Sequence, residues 1–381
     1  MKSSERKKVV DYAVSLLKNM LEIYSPSGQE HELSSFLLAE MKKLGFHSRR
    51  DDAGNMIVES GQGSPRVLLC GHMDTVPGNL ETRLEEAKIR GRGAVDAKSS
   101  LAAMIVATSK LRDKFSGRIL LLGVVDEEGH GTGMKNFIQS DPLDLDYAVF
   151  GEPSNTENIT IGYKGFMRLT LKCVTKAGHS AAPWVSENAI EKGMQLWSLL
   201  KQRFADSSDR ESRFHSVTSS LTGIRGGSST NVIPSECTLS LDVRVPPELN
   251  SGEVLNNVRE TIKSHLKDDP DVSINLEVVD QTNACLMNAD SMLAQSFSWA
   301  IRRVRRKNPI FLKKTGTSDM NLLASRIQIP MVAYGPGDSR LDHTTEEQVA
   351  IEDYLTAIEI YEQALERLAV LHNERDMRIV H

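Results

Sequence analysis

Hydrophobic positions in the first part of the chain alternate between helical spacing and short continuous runs. Apolar residues at helical spacing predict helices over about 5–23 and 98–111. A near-continuous apolar run at 118–125 predicts a strand in a sheet that is covered on both faces. Shorter runs at 66–70 and 146–150 predict further strands of that sheet. Strands that alternate with helices predict an α/β fold, with a mostly parallel sheet flanked by helices.

From about residue 168 the pattern changes to a regular alternation of apolar and polar residues. Such alternation predicts antiparallel strands with one face in water. The predicted elements are, in order, a strand at 169–173, a helix at about 189–204, a strand near 216–224, a strand at 237–245, a helix at about 254–266 and a strand at 274–278. Their β-α-β-β-α-β order is the ferredoxin-like plan, so we expect an inserted α+β domain.

The α/β pattern resumes after the insertion. Three more elements are predicted, namely a helix at 291–306, a strand at 329–334 and a long final helix at about 346–370. The first domain is therefore discontinuous. We expect it to comprise 1–164 and 280–381, with the inserted domain at 165–279.

Length and composition are those of a globular protein with two domains. At 381 residues the chain exceeds the size at which a single hydrophobic core stops growing. A net charge of -5 argues against a general nucleic-acid binder, and no stretch is apolar enough to span a bilayer. The charged N-terminal residues do not form a signal peptide, so we expect a cytoplasmic protein with no membrane attachment. The 4 cysteines are scattered, which predicts neither a disulfide framework nor a zinc knuckle.

A histidine and an acid come directly after the strand at 66–70. His72 and Asp74 are two residues apart, so they project to the same side of an extended backbone. His72 can therefore bind a metal ion while Asp74 accepts the other ring N–H. Taken alone, such a motif is more often a surface turn after a core strand.

Further ionisable residues follow other predicted strands or precede a helix: Asp96, Glu127, Glu128, Glu152, Asp342 and His343. In an open α/β sheet the carboxyl ends of parallel strands share one edge, where ligands bind. Two histidines and several carboxylates at that edge form the ligand set expected for two zinc-like ions, with one carboxylate able to bridge them. Because ionisable residues recur at the ends of several predicted strands, a simple surface turn is a less favoured interpretation of His72.

Glu127 and Glu128 are adjacent and follow an apolar strand almost directly. Adjacent side chains of an extended segment point in opposite directions, so one can bind metal while the other faces the substrate and carries a proton. The alternative interpretation of two neighbouring acids is a solvated loop.

Seven motifs occur in one order along the chain: Cys70-Gly-His-Met-Asp-Thr-Val-Pro, Gly91-Arg-Gly-Ala-Val-Asp-Ala-Lys, Asp126-Glu-Glu-Gly-His-Gly-Thr-Gly, Gly151-Glu-Pro, Gly178-His-Ser-Ala, Gly316-Thr-Ser-Asp-Met-Asn and Asp342-His343-Thr. Together they resemble the co-catalytic zinc aminoacylase and carboxypeptidase family, which includes acetylornithine deacetylase, succinyl-diaminopimelate desuccinylase and glutamate carboxypeptidase. The resemblance implies a zinc-peptidase-like catalytic domain with an inserted lid and dimerisation domain, in a homodimer.

The resemblance also implies two zinc ions and their ligands. His72, Asp96 and Glu152 match the ligands of one ion, and Asp96, Glu128 and His343 match those of the other. Asp96 would then bridge the two ions. Cobalt suits the same ligands and is a possible substitute.

Five other positions match residues with roles in that family. Asp74 matches the acid that orients the histidine ligand, and Glu127 matches the general base. His179 matches a lid histidine that reaches the partner subunit's active site and stabilises the oxyanion of the tetrahedral intermediate. Asn231 and Arg244 lie where family members hold the carboxylate of the substrate.

The archaeal-type branch of the family is the most similar, through the Gly91 motif, Ile161-Gly-Tyr-Lys-Gly and Tyr334-Gly-Pro-Gly-Asp-Ser-Arg-Leu-Asp-His-Thr. That branch releases lysine or ornithine from the γ-glutamyl C-terminus of an amino-group carrier protein, the last step of lysine or arginine biosynthesis. Such a carrier is acidic, and the basic run at 302–307 is a candidate docking surface. One departure is Ser99-Ser100, where a glycine is expected.

Three alternatives compete with this function. The first is an acetylornithine deacetylase, succinyl-diaminopimelate desuccinylase or dipeptidase that acts on a small free substrate, with the same chemistry. The second is a non-catalytic relative that keeps the fold for binding only, which is disfavoured because Glu127 and all the matched ligands are present. The third is a phosphate or nucleotide binder, suggested by the glycines around Gly91. It is disfavoured because Ala97 stands where a P-loop needs glycine before its lysine.

Overall fold

The computed structural model describes residues 3–139, 143–206, 212–267 and 269–379, and the chain forms two compact units. One unit comprises Met1–Ile161, Met287–Leu312 and Ser318–His381, and the other comprises Gly162–Leu286 and Lys313–Thr317. The second unit is thus inserted into the chain of the first. The domain boundaries drawn above after residues 164 and 279 stay predictions.

Helices and strands occur in three successive groups along the chain. The segment before the insertion contains α1 (Ser3–Glu22), α2 (His31–Lys43), β1 (His47–Arg50), β2 (Met56–Gly61), β3 (Arg66–His72), β4 (Arg83–Leu84), β5 (Lys88–Arg90), α3 (Lys98–Leu111), β6 (Arg118–Val124), α4 (Thr132–Gln139), β7 (Tyr147–Phe150) and β8 (Asn158–Tyr163). The next group contains β9 (Gly165–Val174), β10 (Gly178–His179), α5 (Ala189–Asp206), β11 (Thr218–Gly226), β12 (Val232–Ile233), β13 (Glu236–Val245), α6 (Ser251–His265), β14 (Ser273–Thr282) and β15 (Cys285–Leu286). The last group contains α7 (Met292–Arg305), β16 (Ile310–Lys314), α8 (Asp319–Arg326), β17 (Met331–Ala333), β18 (Gln348–Ala350) and α9 (Ile351–Ile379).

The main sheet of the first unit runs in the order β1-β2-β6-β3-β7-β17-β8. Its central strands β6, β3, β7 and β17 are parallel. The outer strands β1, β2 and β8 pair antiparallel with their neighbours. The predicted α/β class is confirmed, although the sheet is mixed rather than mostly parallel. An apolar run predicts a strand but carries no information on the direction of its partner, so the antiparallel edges could not be predicted.

Both faces of the central strands are buried, as their continuous apolar sequences predict. Every residue of β3 from Val67 to His72 is buried. Val67 and Leu69 belong to one apolar cluster with α3, a helix that contacts α1, α9 and two strands of the sheet. Polar side chains therefore collect in the loops beyond the strand ends.

The parallel strands end at one edge of the sheet, and this edge positions the site. His72 is the last residue of β3, and Glu127 lies just beyond β6. Glu152 follows the end of β7, and the loop after β17 leads to His343. The structure thus gathers at one edge the residues that the sequence placed after separate strands.

The second unit is a four-stranded antiparallel sheet in the order β11-β13-β9-β14, with α5 and α6 packed against it. The chain order β9, α5, β11, β13, α6, β14 gives a ferredoxin-like topology. Buried and more exposed residues alternate along β9 and β13, and Leu171 and Leu239 pack in one core with Trp197. A separate pair of short strands, β10 and β12, places His179 opposite Val232.

The final helix begins later than predicted. Gln348–Ala350 forms β18, which pairs antiparallel with β5, so α9 starts only at Ile351 and continues to Ile379. The partner strand lies far away in the sequence, and a local apolar pattern does not reveal it. No helix in the described part of the chain combines the length and hydropathy needed to cross a bilayer.

Candidate metal centre and active site

His72 is buried at the end of β3 with both ring nitrogens engaged. Its Nδ1 lies 2.9 Å from the main-chain oxygen of Asp74, and its Nε2 lies 3.1 Å from Oδ1 of Asp96. Because a carbonyl oxygen only accepts hydrogen bonds, Nδ1 carries a proton. In the neutral ring, the lone pair on Nε2 then faces a carboxylate oxygen. Two electron-rich atoms this close require a proton or a metal cation between them.

A second histidine faces the other oxygen of the same carboxylate. The Nε2 atom of His343 lies 3.2 Å from Oδ2 of Asp96 and 2.8 Å from Oε1 of Glu128. Ligand atoms of Asp96, Glu128 and His343 all lie within 4.8 Å of one another. Asp96 therefore presents one oxygen to each histidine, which is the arrangement that a bridging carboxylate between two cations needs.

The pKa values of His343 and Asp96 show that the carboxylates of this cluster favour a positive charge beside them. Hydrogen bonds to Asp96 and Glu128 raise the pKa of His343 to about 10. Burial opposes the charged form of Asp96, but hydrogen bonds from His343 and His72 outweigh it and lower the pKa of that carboxyl. Two imidazoles and converging carboxylates thus form a donor set suited to divalent cations, with the ligand types that zinc prefers.

Glu127 lies in a different electrostatic environment from its neighbours. Burial raises the pKa of Glu127 well above its usual range, and the charges of Glu152, Asp319 and Glu128 raise it further against the opposing charge of His72. A carboxyl group with a raised pKa can take up and release a proton near neutral pH. Glu152 itself lies two residues beyond the end of β7, and its main-chain N–H donates to the carbonyl of Phe150.

Asp74 is completely buried, and it contacts several other groups in addition to His72. Its Oδ1 atom accepts the main-chain N–H of Glu127 at 3.0 Å, and its Oδ2 atom accepts the main-chain N–H of Glu128 at 3.0 Å. Oδ2 also accepts the hydroxyl of Ser27 at 2.7 Å. The closest contact with His72 comes from the main-chain oxygen of Asp74, whereas its Oδ1 lies 3.6 Å from Nδ1, beyond hydrogen-bond distance.

His179 and Asn231 lie side by side in the second unit. The main-chain N–H of Ser180 donates to the carbonyl of Asn231, and the amide oxygen of Asn231 accepts the hydroxyl of Ser229. Nδ1 of the exposed His179 accepts the N–H of Ala181 at 3.0 Å. In the neutral ring the proton is therefore on Nε2, which is then a hydrogen-bond donor.

Arg244 lies on β13 of the same unit. Its Nε donates to Asp242 at 2.7 Å, and its guanidinium carbon lies 5.9 Å from the centre of the Phe166 ring. Two of the guanidinium nitrogens of Arg244, Nε and Nη2, are therefore already bonded to Asp242. The assignment of Arg244 and Asn231 to substrate binding stays a prediction.

Sequence reasoning missed several buried charged residues around the site. Lys98, the last residue of the motif that contains Asp96, is buried, and its Nζ donates to the carbonyls of Met20 and Ile23. Burial lowers the pKa of Lys98 to about 7. Burial also raises the pKa of Asp319 to about 7. Both lie inside motifs quoted above, but nothing in those motifs indicates that the side chains are enclosed.

Glu347 was also missed. It forms a buried ion pair with Arg92, 2.8 Å between Oε2 and Nη1. The two residues are 255 positions apart, so no local pattern connects them.

Comparison with known proteins identifies the family. Residues 68–367 match the sequence model of peptidase family M20/M25/M40. The chain is 32% identical over 366 residues to the LysW-lysine/LysW-ornithine hydrolase of Saccharolobus solfataricus, an alignment that covers 96% of this chain and 98% of that protein. It is 31% identical over 363 residues to the LysW-lysine hydrolase of Deinococcus radiodurans, covering 93% and 97% respectively.

Solved structures have the same fold. A tripeptidase from Staphylococcus aureus superposes with a TM-score of 0.79 at 19% identity, covering 95% of this chain and 99% of that one. A dinuclear metal binding peptidase of the M20 family from Bacillus subtilis superposes with a TM-score of 0.75 at 14% identity, covering 96% and 99%. The family resemblance found in the sequence motifs is confirmed. With its relatives matched along almost their whole length, the chain belongs to peptidase family M20/M25/M40.

Proposed function

We propose that the protein is a metal-dependent amide hydrolase that releases lysine, ornithine or both from the γ-glutamyl C-terminus of an acidic amino-group carrier protein. Relatives named LysW-lysine and LysW-ornithine hydrolases support this substrate class. The observation that carries the chemistry is the carboxylate of Asp96, whose two oxygens face His72 and His343. This would be the last step of lysine or arginine biosynthesis.

Five residues would hold two metal ions. His72 and Glu152 would complete one site with Asp96, and Glu128 and His343 would complete the other. Zinc is the metal that this donor set suits best, and cobalt is a substitute. When bound, such a pair of ions lowers the pKa of a water molecule and polarises the amide carbonyl.

The protein's own groups would move the protons and stabilise the charge. Glu127, whose pKa is raised by burial, takes a proton from the attacking water and delivers it to the departing amine of lysine or ornithine. In a homodimer, the Nε2–H of His179 would donate to the oxyanion that develops on the carbonyl oxygen in the other subunit's site. Asp74 holds the main chain of Glu127 and Glu128 through its carboxylate.

The partner would be the acidic carrier conjugate, and the basic run on α7 offers a surface for it. Arg305 is paired with Glu157 and Asp353, and Lys307 is paired with Glu157. Arg302, Arg303 and Arg306 of this run are exposed, and their charges could meet an acidic partner. A homodimer, a cytoplasmic location and the absence of nucleic-acid binding are further parts of the proposal.

A substrate panel tests the function. Purified protein loaded with zinc or cobalt is assayed on carrier-lysine, carrier-ornithine, acetyl-ornithine and succinyl-diaminopimelate, with the Glu127→Ala variant as the blank. Release of lysine or ornithine from a carrier conjugate, with much slower turnover of the free substrates, is the expected result. Preferential hydrolysis of acetyl-ornithine or succinyl-diaminopimelate would instead assign the alternative activity on small free substrates.

A further inference from the structure

Glu347 forms the centre of a buried hydrogen-bond cluster next to the candidate metal ligands. Its side chain is 1% exposed. One oxygen, Oε1, accepts three main-chain N–H groups, from Gly93 at 2.9 Å, Val95 at 3.0 Å and Asp96 at 3.1 Å. The main-chain carbonyl of Glu347 accepts a fourth N–H, from Gly91. The loop that carries Asp96 is thus wrapped around this one carboxylate.

Arg92 completes the cluster from the other side. Its Nη1 donates to Oε2 of Glu347 at 2.8 Å and to the main-chain oxygen of Thr344 at 3.1 Å. Thr344 directly follows His343 in the chain. Its Nε donates to the carbonyl of Gly78 at 2.9 Å. The Arg92 side chain is 7% exposed, so solvent does not screen these interactions.

Convergence of several N–H groups on one oxygen requires an unusual backbone, which Gly93 provides. Gly93 has φ +89°, in the left-handed region. A Cβ atom there would lie 2.9 Å from the side chain of Lys98 and 3.0 Å from Thr75. The loop is therefore closely packed on its glycine side and hydrogen-bonded to Glu347 on the other, which leaves Asp96 little freedom to rotate.

We infer that Glu347 and Arg92 are positioning residues for the metal centre. The pair fixes Asp96, whose two oxygens face His72 and His343, and it ties that loop to the segment that carries His343. Both side chains form their hydrogen bonds with main-chain groups and with each other. A buried ion pair contributes little net stability, because desolvation offsets the attraction, but it can fix one arrangement of the groups around it. The inference rests on the proposed metal-dependent function only in that metal ions are taken to bind at Asp96.

Metal titration of two conservative variants tests the inference. Glu347→Gln keeps the shape and one acceptor oxygen but removes the charge opposite Arg92. Arg92→Lys keeps the charge but has one nitrogen, so it lacks the second donor that bonds Gly78 while Nη1 bonds Glu347 and Thr344. Metal affinity is measured by calorimetry and chelator competition with zinc, and the ligand geometry is measured from the visible absorption spectrum of the cobalt-loaded protein. Thermal unfolding of the metal-free proteins measures stability separately.

We expect the affinity for at least one of the two ions to fall by about 10- to 100-fold, with an altered cobalt spectrum, as for other residues that support metal ligands. Asp146→Asn is the matched control, because it breaks a partly buried ion pair with Arg66. This pair lies where β3 and β7 begin, whereas the candidate ligands lie where these strands end. The control should lower the unfolding temperature without changing metal affinity or the spectrum.

Three results would contradict either the positioning role or the proposed function. If both variants bind two ions with the wild-type affinity and cobalt spectrum, the positioning role is wrong even though the enzyme works. If Asp146→Asn also loses metal affinity, and the loss in both variants is only in proportion to their loss of thermal stability, the role of Glu347 and Arg92 is merely structural. Failure of the wild-type protein to bind metal at all would instead refute the proposed function.

Discussion

The main-chain N–H of Glu127 donates to Oδ1 of Asp74 at 3.0 Å. The other oxygen of the same carboxylate accepts the N–H of Glu128, also at 3.0 Å, and the hydroxyl of Ser27. Asp74 therefore determines where both glutamates lie, in addition to the contact of its main-chain oxygen with His72. The acid of the His-x-Asp motif connects one candidate ligand to the turn that carries another ligand and the candidate base.

Asp74→Asn should lower kcat without unfolding the protein. An asparagine side chain has one acceptor oxygen, so the N–H of Glu127 or of Glu128 would face an amide group instead. We expect a loss of about 10- to 100-fold, the usual effect of removing a residue that orients metal ligands. Ser27→Ala is the control, since it removes only one of three bonds to the carboxylate and should cost less. A wild-type kcat for Asp74→Asn would contradict this role.

Glu127→Gln should abolish turnover while leaving metal binding intact. The amide has nearly the same shape but cannot accept or deliver the proton, and a positioned acid or base contributes about 100- to 10 000-fold. Metal content is measured by atomic emission alongside the steady-state assay. Glu128→Gln is the contrasting variant, because it changes a candidate ligand beside His343 and should lower metal content. Substantial turnover by Glu127→Gln would refute its role as the base.

Features of the fold that depend on local periodicity were predictable. The run at Arg118–Val124 forms β6, and its continuous apolar sequence correctly indicated burial on both faces. The antiparallel edges of the sheet and the short strand Gln348–Ala350 were not predictable, because each depends on a partner strand that the local pattern does not specify. The structure therefore differs from the prediction at strands whose position depends on pairing with a distant strand and not on burial alone.

A similar distinction applies to the site. Strand ends and motif order placed Asp96, His343 and the other candidate ligands at one edge. Glu347 was missed because it directly follows Glu346, and nothing in the local sequence distinguishes either glutamate from a solvent-exposed one. Its partner Arg92 lies 255 positions away, and only the folded chain brings the two together. Residues that bind ligands can be inferred from their chemical type, whereas residues that position them become visible only from contacts.

Mixing two inactive variants tests whether His179 acts on the partner subunit. Glu127→Ala and His179→Ala proteins each lack one group, so a hybrid dimer would contain one complete site if His179 acts across the dimer. Random exchange would give hybrids in half of the dimers and recover about a quarter of wild-type activity. Mixing wild-type and Glu127→Ala proteins under the same conditions, with native mass spectrometry, establishes that subunits exchange. No recovery despite proven exchange would contradict action across the dimer.

Reversing two charges on the basic run tests the docking surface. Arg303, whose guanidinium lies 5.2 Å from the Trp299 ring, and Arg306 are both exposed. Arg303→Glu with Arg306→Glu should raise KM for the carrier conjugate, with a weaker dependence of KM on salt, because attraction between exposed charges is screened by ions. Reversal of the exposed Lys42 and Lys201 is the control. An unchanged KM would place the docking surface elsewhere.

Asp146 is expected to stabilise the fold in a pH-dependent way. Its carboxylate pairs with Arg66 at 2.8 Å, and this hydrogen bond lowers the pKa of Asp146 from 3.8 to about 2. Because the pKa is lower in the folded state, the stabilisation is complete above about pH 4 and is lost as the pH falls through about 2. Asp146→Asn should therefore reduce the free energy of unfolding by about 1–2 kcal/mol at neutral pH, and the difference should shrink in acid. Urea unfolding across this range measures it, with the more exposed Asp144→Asn, which also removes a partner of Arg66, as the milder control. A difference that stays constant down to about pH 2 would show that the carboxylate charge is not its source.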